Sequence, residues 1–263
     1  MDKSKKRAYE ILNLYIDEAR KLDFIRSIIL VGSLSDDTYT GNPGSDIDLV
    51  HIVSNDKDYR YEKESIIRLI DQVENRTDKD IPISKVVFQE QHLKHPYKYD
   101  FELKLENKDL IERPIEIFRV LDSGITLMGE DLKASIERPA REDVLESKRL
   151  EEEWNESLRK TDPEWYEGYQ AMRAHPTIRI MTQIVLTTAL SEYFLYTNKS
   201  CSSKYHILKN VEENLPDLPY INLLRLCHKN RFNPDQITVT DIKRMNEEYQ
   251  TVFLNGPKDW ANR

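Results

Sequence analysis

Apolar residues recur at steps of three and four over residues 3–22. Ala8, Ile11, Leu12, Tyr15, Ile16, Ala19 and Leu22 fall on one face, and the spacing predicts an amphipathic helix. Near 25–31 the pattern changes to a short continuous apolar run, the signature of a buried strand. A polar loop follows, then a second buried strand that ends at Val53. Helical spacing returns over 58–75 through Ile66, Ile67, Leu69, Ile70 and Val73, and 83–88 reads as a third strand. Over 99–105 the residues Tyr99, Phe101, Leu103 and Leu105 alternate with Asp100, Glu102 and Lys104, which predicts a half-exposed strand with one acidic face. Pro114 opens a helix, Gly124 ends it, and 125–130 is a short extended segment.

Beyond the linker 137–141 the spacing is helical almost throughout, with segments near 142–160, 164–174, 177–198, 204–214, 218–230 and 239–254. Pro163, Pro176, Pro216, Pro219 and Pro234 mark breaks between them. An α/β half followed by an all-helical half predicts two domains, 1–138 and 139–263. A cleft between such halves is a natural place for a substrate.

The chemistry concentrates in residues 28–53, IILVGSLSDDTYTGNPGSDIDLVHIV. Asp46 and Asp48 are two apart at the start of the second strand, so both carboxylates project to one side. Two ionised carboxylates side by side repel each other, and partial burial raises the cost. A divalent cation between them relieves it, and Mg²⁺ suits one or two carboxylates completed by substrate phosphates. Gly32 at the end of the first strand lets the backbone pass close to a phosphate, while Ser33 and the turn amides can donate to phosphate oxygens. The turn 42–45 delivers Ser45 just ahead of the first aspartate. His51 sits among the apolar residues beyond the aspartates and reads as a hydrogen-bonded core histidine.

Charge narrows the partner. The formal net charge is −8, whereas a long nucleic acid requires a basic surface, so the balance weighs against a nucleic-acid partner. Cys201 and Cys227 have no metal spacing and suit a reducing cytosol, which predicts a cytoplasmic protein. The apolar stretch 178–196 is interrupted by Thr182, Gln183, Thr187, Thr188, Ser191 and Glu192 and reads as a globular helix, not a membrane span.

A hydrophobic strand, Gly32-Ser33, twelve intervening residues and Asp46-Ile47-Asp48 resemble the signature of the DNA polymerase β-type nucleotidyltransferase superfamily. Later landmarks narrow the resemblance to aminoglycoside adenylyltransferases of the streptomycin/spectinomycin type. These are the helix from Pro114 with Gly124-Ile125-Thr126-Leu127-Met128-Gly129, and Ser203-Lys204-Tyr205-His206 running to Leu215-Pro216. The resemblance implies a nucleotidyltransferase domain with a small mixed sheet flanked by helices, joined to a C-terminal helical bundle. It implies Mg²⁺-dependent transfer, with one or two ions, of a nucleoside monophosphate from ATP or another nucleoside triphosphate to a hydroxyl of a small, aminoglycoside-like acceptor. Asp46 and Asp48 would hold the metal, Gly32, Ser33 and Ser45 the nucleotide, and Lys204 the triphosphate from the lysine-bearing helix.

Two departures accompany the resemblance. The family carries a third acidic residue, the base for the acceptor, on the strand after the aspartates; here Ser84 or Lys85 occupies that place. Glu102 is the first replacement and Glu90 the second. The family's drug contacts are also not evident in 177–182. As alternatives, an enzyme of this fold can modify a protein or RNA, as toxin–antitoxin nucleotidyltransferases do, or the chain can be a nucleotide-binding module with weak catalysis. Acidic side chains of the helical half, Glu151, Glu152, Glu153, Glu164 and Glu167, are candidate walls for a cationic acceptor, and Trp154, Trp165, Tyr166 and Tyr169 candidate aromatic ones.

Overall fold

The computed structural model describes residues 3–42, 45–54, 58–96 and 114–254. The chain divides into two compact units, Met1–Tyr99 with Glu116–Arg138, and Asp100–Ile115 with Pro139–Arg263.

The first unit is built on a four-stranded mixed sheet. Its strands are β1 (Ile25–Val31), β2 (Ile47–Val53), β3 (Ile83–Gln89) and β4 (Ile125–Gly129), in the order β3-β2-β1-β4. β1 runs antiparallel to both of its neighbours, and β2 and β3 are parallel. The parallel pair needs a crossover, and α2 (Tyr59–Arg76) supplies it. α1 (Lys3–Ala19) buries the predicted stripe of Ala8, Ile11, Leu12, Tyr15, Ile16 and Ala19, and stops short of Leu22. Side chains alternate along β2, so its two faces take different partners. Tyr15 on α1 reaches His51, which places α1 on the His51 face. On the opposite face Val50 and Ile52 join Ile29, Val31 and Phe88, and α3 (Pro114–Ser123) covers them with Ile117 and Val120. Asp48 shares the parity of Val50 and therefore lies on the face that α3 covers.

The second unit is helical: α4 (Arg141–Thr161), α5 (Pro163–Ala174), α6 (Ile178–Thr197), α7 (Ile207–Asn214), α8 (Ile221–Phe232) and α9 (Val239–Glu248). α6 is its axis and buries Met181, Val185, Leu186, Ala189 and Leu190. Buried Glu192 accepts a hydrogen bond from the Tyr220 hydroxyl, so its polar head is satisfied within the bundle. The final predicted helix divides: after α9 the chain widens into a π-helical turn, Tyr249–Leu254. There the Tyr249 hydroxyl donates to the Arg173 carbonyl at 3.0 Å and Gln250 to that of Ala174 at 2.6 Å. Among the described residues no helix is long and apolar enough to cross a membrane. Cys201 and Cys227 are buried and unbridged.

Candidate active site

β1 ends at Val31, whose register partner on β2 is Asp48. The chain then turns at Gly32 with φ of +76°, into a short 3-10 turn over Gly32–Leu34. The Gly32 carbonyl anchors the turn by accepting from the amides of Ser35 (3.1 Å) and Asp36 (3.0 Å) and from the Ser35 hydroxyl (2.8 Å). A Cβ at position 32 would lie 2.3 Å from Asp48 Oδ2 and 2.4 Å from Arg119 Nη2. Only glycine permits both this conformation and this approach. The turn and the aspartate strand therefore meet at one point.

Asp46 stands immediately before β2, two residues from Asp48. Ser33 lies within the turn and is half-buried. Buried Ser45 lines a cavity of about 320 Å³ together with Arg7, Tyr39, Asn42 and Asp80.

The structure adds two residues that the sequence reading passed over. Arg119 on α3 donates from Nη2 to Asp48 Oδ2 at 2.7 Å and from Nη1 to Glu116 Oε2 at 2.8 Å. Its side chain is only 16% exposed, so the guanidinium is largely removed from water. Burial works against its charge, but the facing carboxylates of Asp48 and Glu116 outweigh that cost and hold it above the usual arginine range. A sequence signal existed. Glu116 and Arg119 are one turn apart on a helix otherwise apolar at Ile115, Ile117, Phe118 and Val120, an unusual place for two charges.

Other candidates are placed as follows. Ser84 is the register partner of Asp48 on β3, so a serine, not a carboxylate, stands opposite it. Lys85 pairs with Leu49, one step along and on the other parity. Glu90 is corrected as a candidate base. It follows Gln89, which pairs with Val53 at the opposite end of the sheet, and at about 3.3 Å per residue that is roughly 20 Å from Ser84. Glu90 pairs there with Arg26 at 3.4 Å. Glu102 lies outside the described residues, as does the whole predicted strand 99–105.

In the second unit Lys204 is half-buried in a turn, three residues before α7 begins, and not within the helix as expected. Trp165 and Tyr169 stack on α5 with centroids 5.2 Å apart, and the Arg173 guanidinium lies 5.8 Å from the Tyr169 ring. Glu153 is tied to Arg149 on its own helix, as is Glu146. The side chains of Glu151, Glu152 and Trp154 lie outside what the structure describes.

Hard carboxylate oxygens at Asp46 and Asp48 match Mg²⁺ chemistry. Among the described residues no group of three His, Cys, Asp or Glu residues could hold a metal by itself. A two-carboxylate site of this kind takes its remaining ligands from water and substrate phosphates.

Residues 12–119 match the nucleotidyltransferase domain family, a segment that runs from α1 through Arg119. No curated protein matches the chain. Among solved structures, the spectinomycin adenyltransferase AAD(9) from Enterococcus faecialis, crystallised with ATP and spectinomycin, is similar at a TM-score of 0.55 and 17% identity. The match covers 91% of this chain and 98% of that one. At that identity the likeness establishes a shared fold. The toxin–antitoxin MntA-HepT matches at a TM-score of 0.26 and 12% identity, over 58% of this chain and 94% of that one.

Proposed function

We propose that this chain, a nucleotidyltransferase by the domain it carries over residues 12–119, moves a nucleoside monophosphate from a nucleoside triphosphate, with ATP as first choice, to a hydroxyl of a small aminoglycoside-like molecule. The observation that carries the reading is the meeting of Asp48 with the Gly32 turn, within 2.3 Å of where a Cβ would stand. A carboxylate that recruits a divalent ion thus adjoins backbone amides and hydroxyls suited to phosphate oxygens.

In the reaction the acceptor oxygen attacks the α-phosphorus and forms a new P–O bond. The bond from the α-phosphorus to the bridging oxygen breaks, and pyrophosphate leaves with that electron pair. Mg²⁺, when bound, neutralises phosphate charge and makes the acceptor hydroxyl easier to deprotonate. Asp46 and Asp48 hold that ion. Gly32 and Ser33 receive the phosphates, and Lys204 adds positive charge. Glu102 is the proposed acceptor of the hydroxyl proton. Catalysis of this type is mostly positioning and charge stabilisation. AAD(9), with its bound ATP and spectinomycin, supports the choice of nucleotide and acceptor class.

The test uses α-labelled nucleoside triphosphates against pooled aminoglycosides, lincosamides, proteins and RNA. Mg²⁺-dependent labelling of a small molecule is expected. Asp46→Asn and Asp48→Asn should each reduce it about a hundredfold or more while the chain stays folded. Labelling of only a protein or an RNA would overturn the acceptor class. Unchanged Mg-ATP affinity in both variants, measured calorimetrically, would overturn the site.

A further inference from the structure

We propose that Arg119 is a resident cation of this site that stands in place of a second divalent ion, so that the chain binds its nucleotide with one divalent ion and not two. The inference rests on the nucleotidyltransferase reading above. It begins with where the guanidinium is. Arg119 Nη2 lies 2.7 Å from Asp48 Oδ2 and 2.4 Å from a Cβ built on Gly32, so its charge adjoins both the metal-binding carboxylate and the phosphate turn.

The guanidinium is also pinned. Glu116, one turn earlier on α3, holds Nη1 at 2.8 Å, and the backbone between them carries Ile117 and Val120 into the core against Val50 and Ile52. A largely buried charge that leaves its partners loses several kcal/mol, so a paired arginine on a packed helix stays where it is. Arg119 therefore belongs to the site at all times.

Two further observations limit the number of metal ions. Asp48 commits Oδ2 to Arg119, which leaves Oδ1 as its free oxygen for a metal. Opposite Asp48 on β3 stands Ser84, so the neighbouring strand offers no third carboxylate there to hold a second ion.

Mn²⁺ counting tests the inference. Free Mn²⁺ is followed by electron paramagnetic resonance during titration of the full chain, alone and with a saturating non-hydrolysable ATP analogue. Wild type should bind one Mn²⁺ per chain with the analogue. Arg119→Gln frees Asp48 Oδ2 as a ligand for a second ion and should bind two, and its nucleotide-free form should bind Mn²⁺ about tenfold more tightly, because a like charge beside Asp48 is gone. Arg119→Lys, which keeps the charge, should retain the count of one. Two ions in wild type, or Arg119→Gln with wild-type count and affinity, would overturn the proposal. If Arg119→Gln melts below the working temperature, the wild-type and Arg119→Lys counts decide alone. Failure of wild type to bind the analogue would overturn the nucleotidyltransferase reading instead, while the nucleotide-free affinities still judge Arg119.

Discussion

Asp48 and His51 lie three residues apart on β2 and meet opposite worlds, because strand alternation separates odd from even positions. His51 is fully buried. Its Nε2 lies 2.7 Å from the Tyr15 hydroxyl and its Nδ1 3.4 Å from the Val86 carbonyl. A neutral ring with the proton on Nδ1 satisfies both, donating to Val86 and accepting from Tyr15. Burial pushes the ring down from its ordinary 6.5 to about 4. Between those values the unfolded chain holds a proton that the folded chain does not, so stability falls as pH drops from about 6.5 toward about 4. The full loss from this one group is on the order of 3 kcal/mol. Urea unfolding at pH 7 and pH 5 measures about half of it. His51→Gln should flatten the slope over that interval, and an equally steep slope in the variant would assign the pH dependence to other groups.

At the scale of the element, the turn after β1 is the most constrained piece of the candidate site. Its residue 32 has a left-handed φ, and Asp48 and Arg119 occupy the space that a Cβ there would need. Gly32→Ala should cost roughly 1–3 kcal/mol in backbone strain alone. The added methyl must also displace the Asp48 carboxylate or the guanidinium. Calorimetric titration should therefore show loss of Mg-nucleotide binding beyond what the fall in melting temperature accounts for. A variant with wild-type affinity and a lowered melting temperature would reduce the turn to a structural corner. α3 is the second element that matters. Its apolar residues Ile117 and Val120 pack on the sheet, and the same packing holds Glu116 and Arg119 in place beside Asp48.

At the scale of the whole molecule, the net charge of −8 bears on the acceptor. An acidic protein attracts cations at low ionic strength, and added salt screens that attraction. If the proposed acceptor class is right, the apparent KM for a polycationic amino sugar should rise several-fold between about 50 and 300 mM salt, with kcat changing little. A KM that ignores salt would point to a neutral acceptor, and one that falls would contradict the charge argument.

The sequence alone determined what depends on near neighbours. Periodicity located β1, β2, β3 and the helix Pro114–Ser123 to within a residue or so, because burial repeats at two or 3.6 residues whatever the rest of the chain does. Local chemistry marked Gly32 as a turn, and its φ of +76° agrees. Two boundaries moved: Lys204 and His206 stay in a turn ahead of α7, and the last helix widens at Tyr249, where the chain reaches the distant carbonyls of Arg173 and Ala174. What only the tertiary structure decided are pairings across long separations. Arg119 is 71 residues from Asp48, and nothing in the local pattern of either predicts their 2.7 Å contact. The parallel register of β2 and β3 set Ser84 opposite Asp48 and carried Glu90 to the far end of the sheet. Register is fixed by the packing of both sheet faces at once, and that is a property of the assembled layers, not of any one strand.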